Sequence, residues 1–110
     1  MKVTQLRSPR TGITVANQFE IVDGNTVYLQ SYQTLIAKKT GYEYTISSNW
    51  NYSRTTCKYF TEWLRDYGFN QLEIDTLKKW LRKDSTKNGS ELVQLLNSNV
   101  NIKYVDELWD

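Results

Sequence analysis

The chain has 110 residues, with 14 basic and 12 acidic side chains, one cysteine and no histidine. A chain of this length holds one core but not two, and 39% hydrophobic with 14% aromatic residues describes a folded domain rather than a disordered segment. A lone thiol excludes an internal disulfide, and without histidine the usual zinc ligand sets cannot be assembled.

The net charge of +2 is unevenly spread: residues 53–88 carry eight basic and five acidic side chains, and residues 89–110 carry one and four. The N-terminus has no apolar signal-peptide core and no apolar run reaches membrane-spanning length, so the expectation is a soluble, cytoplasmic protein with no membrane contact.

Along residues 1–48 apolar and polar residues alternate, as half-buried strands require. Strands are expected at 2–6, 13–22, 26–32, 35–39 and 42–46. In the second of these, Val15, Asn17, Phe19 and Ile21 share one face and Ala16, Gln18 and Glu20 the other. Asp23-Gly24-Asn25 and Thr40-Gly41 are hairpin turns, because glycine and asparagine tolerate positive φ. In the third strand Val27 and Leu29 point inward.

After residue 52 the period changes. Ser53 is placed to cap a helix over 54–67, in which Thr56, Phe60, Trp63 and Tyr67 form one stripe. Gly68 stands at the helix C′ position with Phe69 as its hydrophobic follower. Asn70 and Glu73 outline a capping box for a second helix over 71–83 that buries Ile74, Leu77, Trp80 and Leu81. Residues 84–89 read as a polar loop, 90–96 as a short helix capped by Ser90, and 100–104 as a final strand before an acidic tail. The fold class is α+β in one domain: an antiparallel meander of four to five strands (1–48) packed against a helical hairpin (53–83), then a short helix and a terminal strand (90–105).

No catalytic, metal or cofactor signature emerges. The commonest general base is absent. Cys57 reads as a small core residue rather than a nucleophile, although Lys58 and the nearby helix start would favour its thiolate. The expectation is therefore a non-enzymatic protein that needs no cofactor and no metal.

Two surfaces qualify for binding. One joins the junction aromatics Trp50 and Tyr52, the cations Arg54, Lys58, Arg65, Lys78, Lys79, Arg82 and Lys83, and the tail carboxylates Asp106, Glu107 and Asp110 as contacts for a protein partner. Charge on an outer helix face also serves solubility alone, and Glu62 with Lys58 and Asp75 with Lys79 have the spacing to pair. Trp50 and Tyr52 equally suit a hydrophobic plug between sheet and helices. The other surface is a helix-turn-helix over residues 58–83, with Asn70, Gln71, Thr76 and Lys79 toward nucleic-acid base edges. Leu64 is bulky for that motif's close crossing, and Asp75 would face the duplex.

The run Thr14-Val15-Ala16-Asn17-Gln18-Phe19, the run Tyr28-Leu29-Gln30-Ser31-Tyr32-Gln33-Thr34-Leu35-Ile36-Ala37, and Trp50-Asn51-Tyr52-Ser53-Arg54-Thr55-Thr56 with Lys58-Tyr59 resemble a family of small uncharacterised proteins encoded by phages and prophages of Gram-positive bacteria. The family more often has aspartate where Asn51 stands. The likeness covers residues 3–67 and does not extend beyond Gly68. It implies a context: small phage proteins without catalytic residues commonly bind host machinery stoichiometrically in the host cytosol, and anti-CRISPR proteins are the best-known case. The expected partner is then a host protein or ribonucleoprotein complex, a Cas effector above all. The alternatives are a phage DNA-binding regulator and a capsid or tail accessory protein. The oligomeric state stays open.

Overall fold

The computed structural model describes residues 2–8, 10–82, 100–105 and 107–108. Five strands follow one another, β1 (Lys2–Arg7), β2 (Thr14–Asp23), β3 (Thr26–Ser31), β4 (Thr34–Thr40) and β5 (Glu43–Ser47). A 3-10 turn (Ser48–Asn51) leads into α1 (Arg54–Asp66) and α2 (Gln71–Arg82), and the chain ends in β6 (Asn101–Val105). All six strands form one sheet in sequence order. The antiparallel meander expected at the N-terminal half is present as β1–β5. The sheet exceeds the expected four to five strands because the terminal strand joins it, parallel to β5. A parallel neighbour needs a long crossover, and the helical segment between β5 and β6 supplies one. The short helix expected at 90–96 and the loop at 84–89 lie outside the described residues.

The sheet has one covered face. Leu29, Ala37, Ile46 and Ile102 are fully buried there with Tyr44. Against them pack Phe60, Trp63 and Leu64 of α1 and Ile74, Leu77, Trp80 and Leu81 of α2. The buried stripe of α1 is wider than Thr56, Phe60 and Trp63 alone. Tyr59 and Leu64 are buried as well, and Tyr67 is half-buried. A helix held between a sheet and a second helix needs apolar residues at both i+3 and i+4. In β4 the register slips, so that Leu29 faces Ala37 and Gln30 faces Leu35. The extra residue, Ile36, is fully buried beside Ala37.

In β2 the expected division of Phe19 and Ile21 from Gln18 and Glu20 is kept, but the alternation is interrupted before them. Asn17 takes a left-handed conformation (φ 68°) and breaks it. Beyond it Gln18 and Glu20 lie on the covered face, in register with Ser31 and Leu29, while Phe19 and Ile21 lie on the other side. A one-residue irregularity exchanges the two faces of a strand, which periodicity cannot foresee.

The helix ends follow the expected chemistry. The Ser53 hydroxyl accepts from the Thr56 amide at 3.1 Å. At the C-terminus the Phe69 amide donates to the Leu64 carbonyl and the Gly68 amide to the Arg65 carbonyl, both at 3.1 Å. These two bonds make a Schellman motif around Gly68. Asn70 and Glu73 form a reciprocal capping box, with bonds of 2.8 and 3.0 Å.

Gly68 has φ 97°, and a Cβ there would meet nothing within 4 Å. Gly68→Ala is therefore a pure backbone test. We expect a loss of about 1–2 kcal/mol in urea unfolding with no change in m-value.

Candidate functional site

The cations expected to form one surface are differently employed. Arg65 pairs with Glu62 at 2.6 Å and donates its other nitrogen to Gln71 Oε1 at 2.6 Å. Gln71 in turn donates to Asp75 Oδ1 at 2.9 Å. This chain ties the end of α1 to the start of α2 and replaces the expected pairs of Glu62 with Lys58 and Asp75 with Lys79. The planar guanidinium reaches two acceptors at once, which an ammonium on a flexible stem does less well. The Arg82 guanidinium lies 5.3 Å from the Trp50 ring, and Trp50 packs 5.6 Å from Phe60. Trp50 is thus buried as a plug where sheet meets helices. Lys58 lies over its neighbour Tyr59. Arg54 and Lys79 are exposed and Lys78 half-buried. Lys83, Asp106 and Asp110 fall outside the described residues, and Glu107 is exposed beyond β6.

The polar residues assigned to base readout have local duties. Asn70 is the cap of α2, Gln71 is held between Arg65 and Asp75, and the Thr76 hydroxyl donates to the Leu72 carbonyl at 2.8 Å. Lys79 alone of the four has its side chain extended into solvent without a bond among the described residues.

The structure brings together a corner that sequence reasoning missed. Three hairpins turn on two residues each, and the first turn residue is left-handed in all three. Gly24 (φ 61°) and Gly41 (φ 60°) fill two of these positions, and Tyr32 (φ 57°) fills the third. The Tyr32 amide donates to the carbonyl of left-handed Asn17 at 2.6 Å, and the Gln30 side chain donates to the Tyr32 carbonyl at 2.7 Å. The Tyr32 ring meets Tyr52 edge-on at 6.4 Å. They are 45% and 51% exposed. No glycine marked this turn in the sequence, so only the tertiary register shows it.

Beneath the corner lies a buried polar layer. Ser31 and Thr56 share a hydrogen bond of 2.8 Å between hydroxyls, and Ser53 donates to Thr56 at 3.0 Å. Gln18 is fully buried beside Ser31 in the register, yet neither its Oε1 nor its Nε2 has a partner among the described residues. The Trp63 indole nitrogen likewise has no partner among them.

At the opposite end of α1, Lys39 lies 5.0 Å from the Tyr67 ring and 6.0 Å from the Tyr44 ring. The Tyr67 hydroxyl donates to Glu20 Oε1 at 2.5 Å. Burial first, and then the Glu20 bond and charge, hold the Tyr67 hydroxyl well above the ordinary tyrosine range. Burial alone pushes Tyr44 up to about 12. The Asp66 carboxyl is raised by burial and by Glu62, with Arg65 opposing. Cys57 is half-buried against the core. Among the described residues no group of three or more histidine, cysteine, aspartate or glutamate side chains is placed to hold a metal ion. No helix among them is long and apolar enough to cross a membrane.

Two stability outcomes follow from these groups. An unpaired buried amide costs about 1–3 kcal/mol, so Gln18→Met is expected to raise the urea midpoint. Above about pH 10 the unfolded tyrosines ionise while Tyr44 and Tyr67 stay protonated in the fold. The unfolded state then binds fewer protons, and stability falls as pH rises. Thermal midpoints from pH 8 upward should stay level to about pH 10 and then decline, less steeply for the Tyr44→Phe, Tyr67→Phe double variant.

No curated protein and no solved structure matches the chain. One family model does match, described as a family of unknown function (DUF8033), and it covers residues 1–92. That span runs past residue 67 and takes in the whole of α2. The meander and both helices are therefore family architecture, and the chain is a member of the DUF8033 family of unknown function.

Proposed function

We propose that the protein is a non-enzymatic binding protein that acts by direct contact with a partner protein, through the corner formed by Tyr32 and Tyr52. The observation that carries this reading is Tyr32. It occupies, at φ 57°, a turn position that glycine fills in the other two hairpins. A side chain in that conformation costs about 1–2 kcal/mol, and a ring left 45% exposed recovers little of it by burial. Backbone strain of this kind persists where a surface is used, and exposed tyrosines are common anchors of protein interfaces. Arg54, exposed at the first position of α1, adds a cation two residues from Tyr52.

The phage-like blocks in residues 3–67 extend the reading. The partner is then a host defence complex in the bacterial cytosol, and the protein an inhibitor of it, with a Cas effector of a CRISPR system as the first target to test. A second reading, a DNA-binding regulator built on α1 and α2, draws on Lys78 and Lys79, which have no carboxylate partner among the described residues.

The test uses the tagged chain as bait in bacterial lysate, with and without nuclease, beside a Tyr32→Asn, Tyr52→Ala variant. Asparagine tolerates the left-handed turn, so this variant keeps the fold. The expected result is a stoichiometric protein that survives nuclease and is captured about tenfold less by the variant. Recovery of nucleic acid alone, falling as salt rises, would overturn the reading in favour of the regulator. Purified protein in excess is expected to block target binding or cleavage by a Cas effector. Unchanged activity across several systems would remove the host-defence assignment and leave the protein-binding corner standing.

A further inference from the structure

The face of the sheet turned away from the helices carries an apolar patch of its own. Ile21 and Tyr28 are cross-strand neighbours on it, and Leu35 lies opposite Gln30. Beyond β6, Glu107 and Leu108 come to the same face and form one wall of a cavity of about 470 Å³ floored by Ile21, Tyr28 and Leu35. Its lining includes two carboxylates, Asp23 and Glu107, both exposed. Neither has an ion-pair partner among the described residues. Among the described residues no basic side chain lines the cavity. Lys38 stands beside Tyr28 in the register but is not part of the lining.

We propose that this cavity is the docking site for a segment of a partner protein that carries a lysine or arginine next to an apolar side chain. The chemistry comes from the lining. Two carboxylates without counter-charges among the described residues flank an apolar floor, and their charge is complementary to that of a basic side chain. The methylene stem of a long basic side chain covers apolar surface while its head reaches the carboxylates, and the Tyr28 ring offers a face for the cation. The volume lies in the range of sites that enclose a ligand of several groups, about 300–1,000 Å³. Gln30, Gln33, Thr34 and Asn49 complete the lining with neutral polar groups. A metal ion is the wrong occupant, because among the described residues no group of three or more histidine, cysteine, aspartate or glutamate side chains is placed to hold one. An apolar residue beside the cation fills the remaining space against Leu35 and Leu108.

This inference takes from the proposed function only that the partner is a protein. It rests on other residues than Tyr32 and Tyr52, and either reading can fail without the other. The test is a titration of the ¹⁵N-labelled chain with the blocked dipeptides N-acetyl-Arg-Leu-amide and N-acetyl-Glu-Leu-amide, and with agmatine, a guanidinium without a peptide. The expected result is saturable shifts at the amides of Ile21, Tyr28, Leu35 and Leu108 with the arginine dipeptide only. The Asp23→Asn and Glu107→Gln variants, both changed at exposed positions, should each bind it about fivefold more weakly while their other amides keep their positions. No saturable shift up to about 10 mM, or equal binding of the acidic dipeptide, would overturn the proposal. Agmatine binding as tightly as the dipeptide would overturn it in favour of a small-amine site. Shifts at these amides that depend on protein concentration alone would overturn it in favour of a second copy of the chain.

Discussion

Leu29, Ile36, Ala37, Tyr44 and Ile46 line up on one side of a sheet, and an apolar face of that size has to be covered. Helix α1 is the cover, and most other features answer to its placement. Ser53 fixes where it begins, Gly68 where it ends, and the turn at Phe69 sends α2 back so that Leu77, Trp80 and Leu81 complete the core. Aromatic rings do much of the contact. Tyr44 meets Trp63 and Phe69 edge-on at 5.9 and 5.3 Å, a geometry that adds to the burial of each ring. The core is therefore built across the boundary between the strand half and the helical half, and neither half has a complete core of its own.

Placing α1 on the covered face has a consequence for polar groups. Beyond the left-handed Asn17, Gln18 and Glu20 of β2 lie on the covered face, in register with Ser31 and Leu29 of β3, so that Gln18, Glu20 and Ser31 come beneath a helix. Two of these find partners on α1 or its cap residue: Ser31 bonds to Thr56, and Glu20 accepts from Tyr67. Gln18 does not. A buried group left unsatisfied lowers stability, so the left-handed Asn17, the left-handed Tyr32 and the orphaned Gln18 together mark one corner as built against the fold's own interest. That concentration separates this corner from the cationic helix faces, whose charges have ordinary structural employment in Arg65 and Arg82.

The two faces of the sheet also differ in what they offer. The covered face is a packed interior. The open face holds Ile21, Tyr28 and Leu35 beside Glu107 and Leu108, with Asp23 and Glu107 in the cavity lining and no lining cation among the described residues. Of the acidic end read in sequence as a feature of its own, Glu107 and Leu108 are the residues that wall this cavity.

The sequence by itself determined the local structure, because the forces involved act within a few residues. The change of period after residue 52, the Ser53 cap, the Gly68 stop and the Asn70–Glu73 box were all legible, and each appears in the structure as hydrogen bonds between near neighbours. Gly24 and Gly41 announced two hairpins for the same reason. Only the tertiary structure decided what depends on residues far apart. It put Tyr32 in a left-handed turn through the Asn17 carbonyl, paired β6 with β5 in parallel, buried Trp50 under Arg82, and gave Arg65 to Glu62 and Gln71. It also chose which face of β2 went inside. Period-two alternation says that a strand has two faces, but the choice between them is made by the partner that covers one, and a single left-handed residue is enough to exchange them.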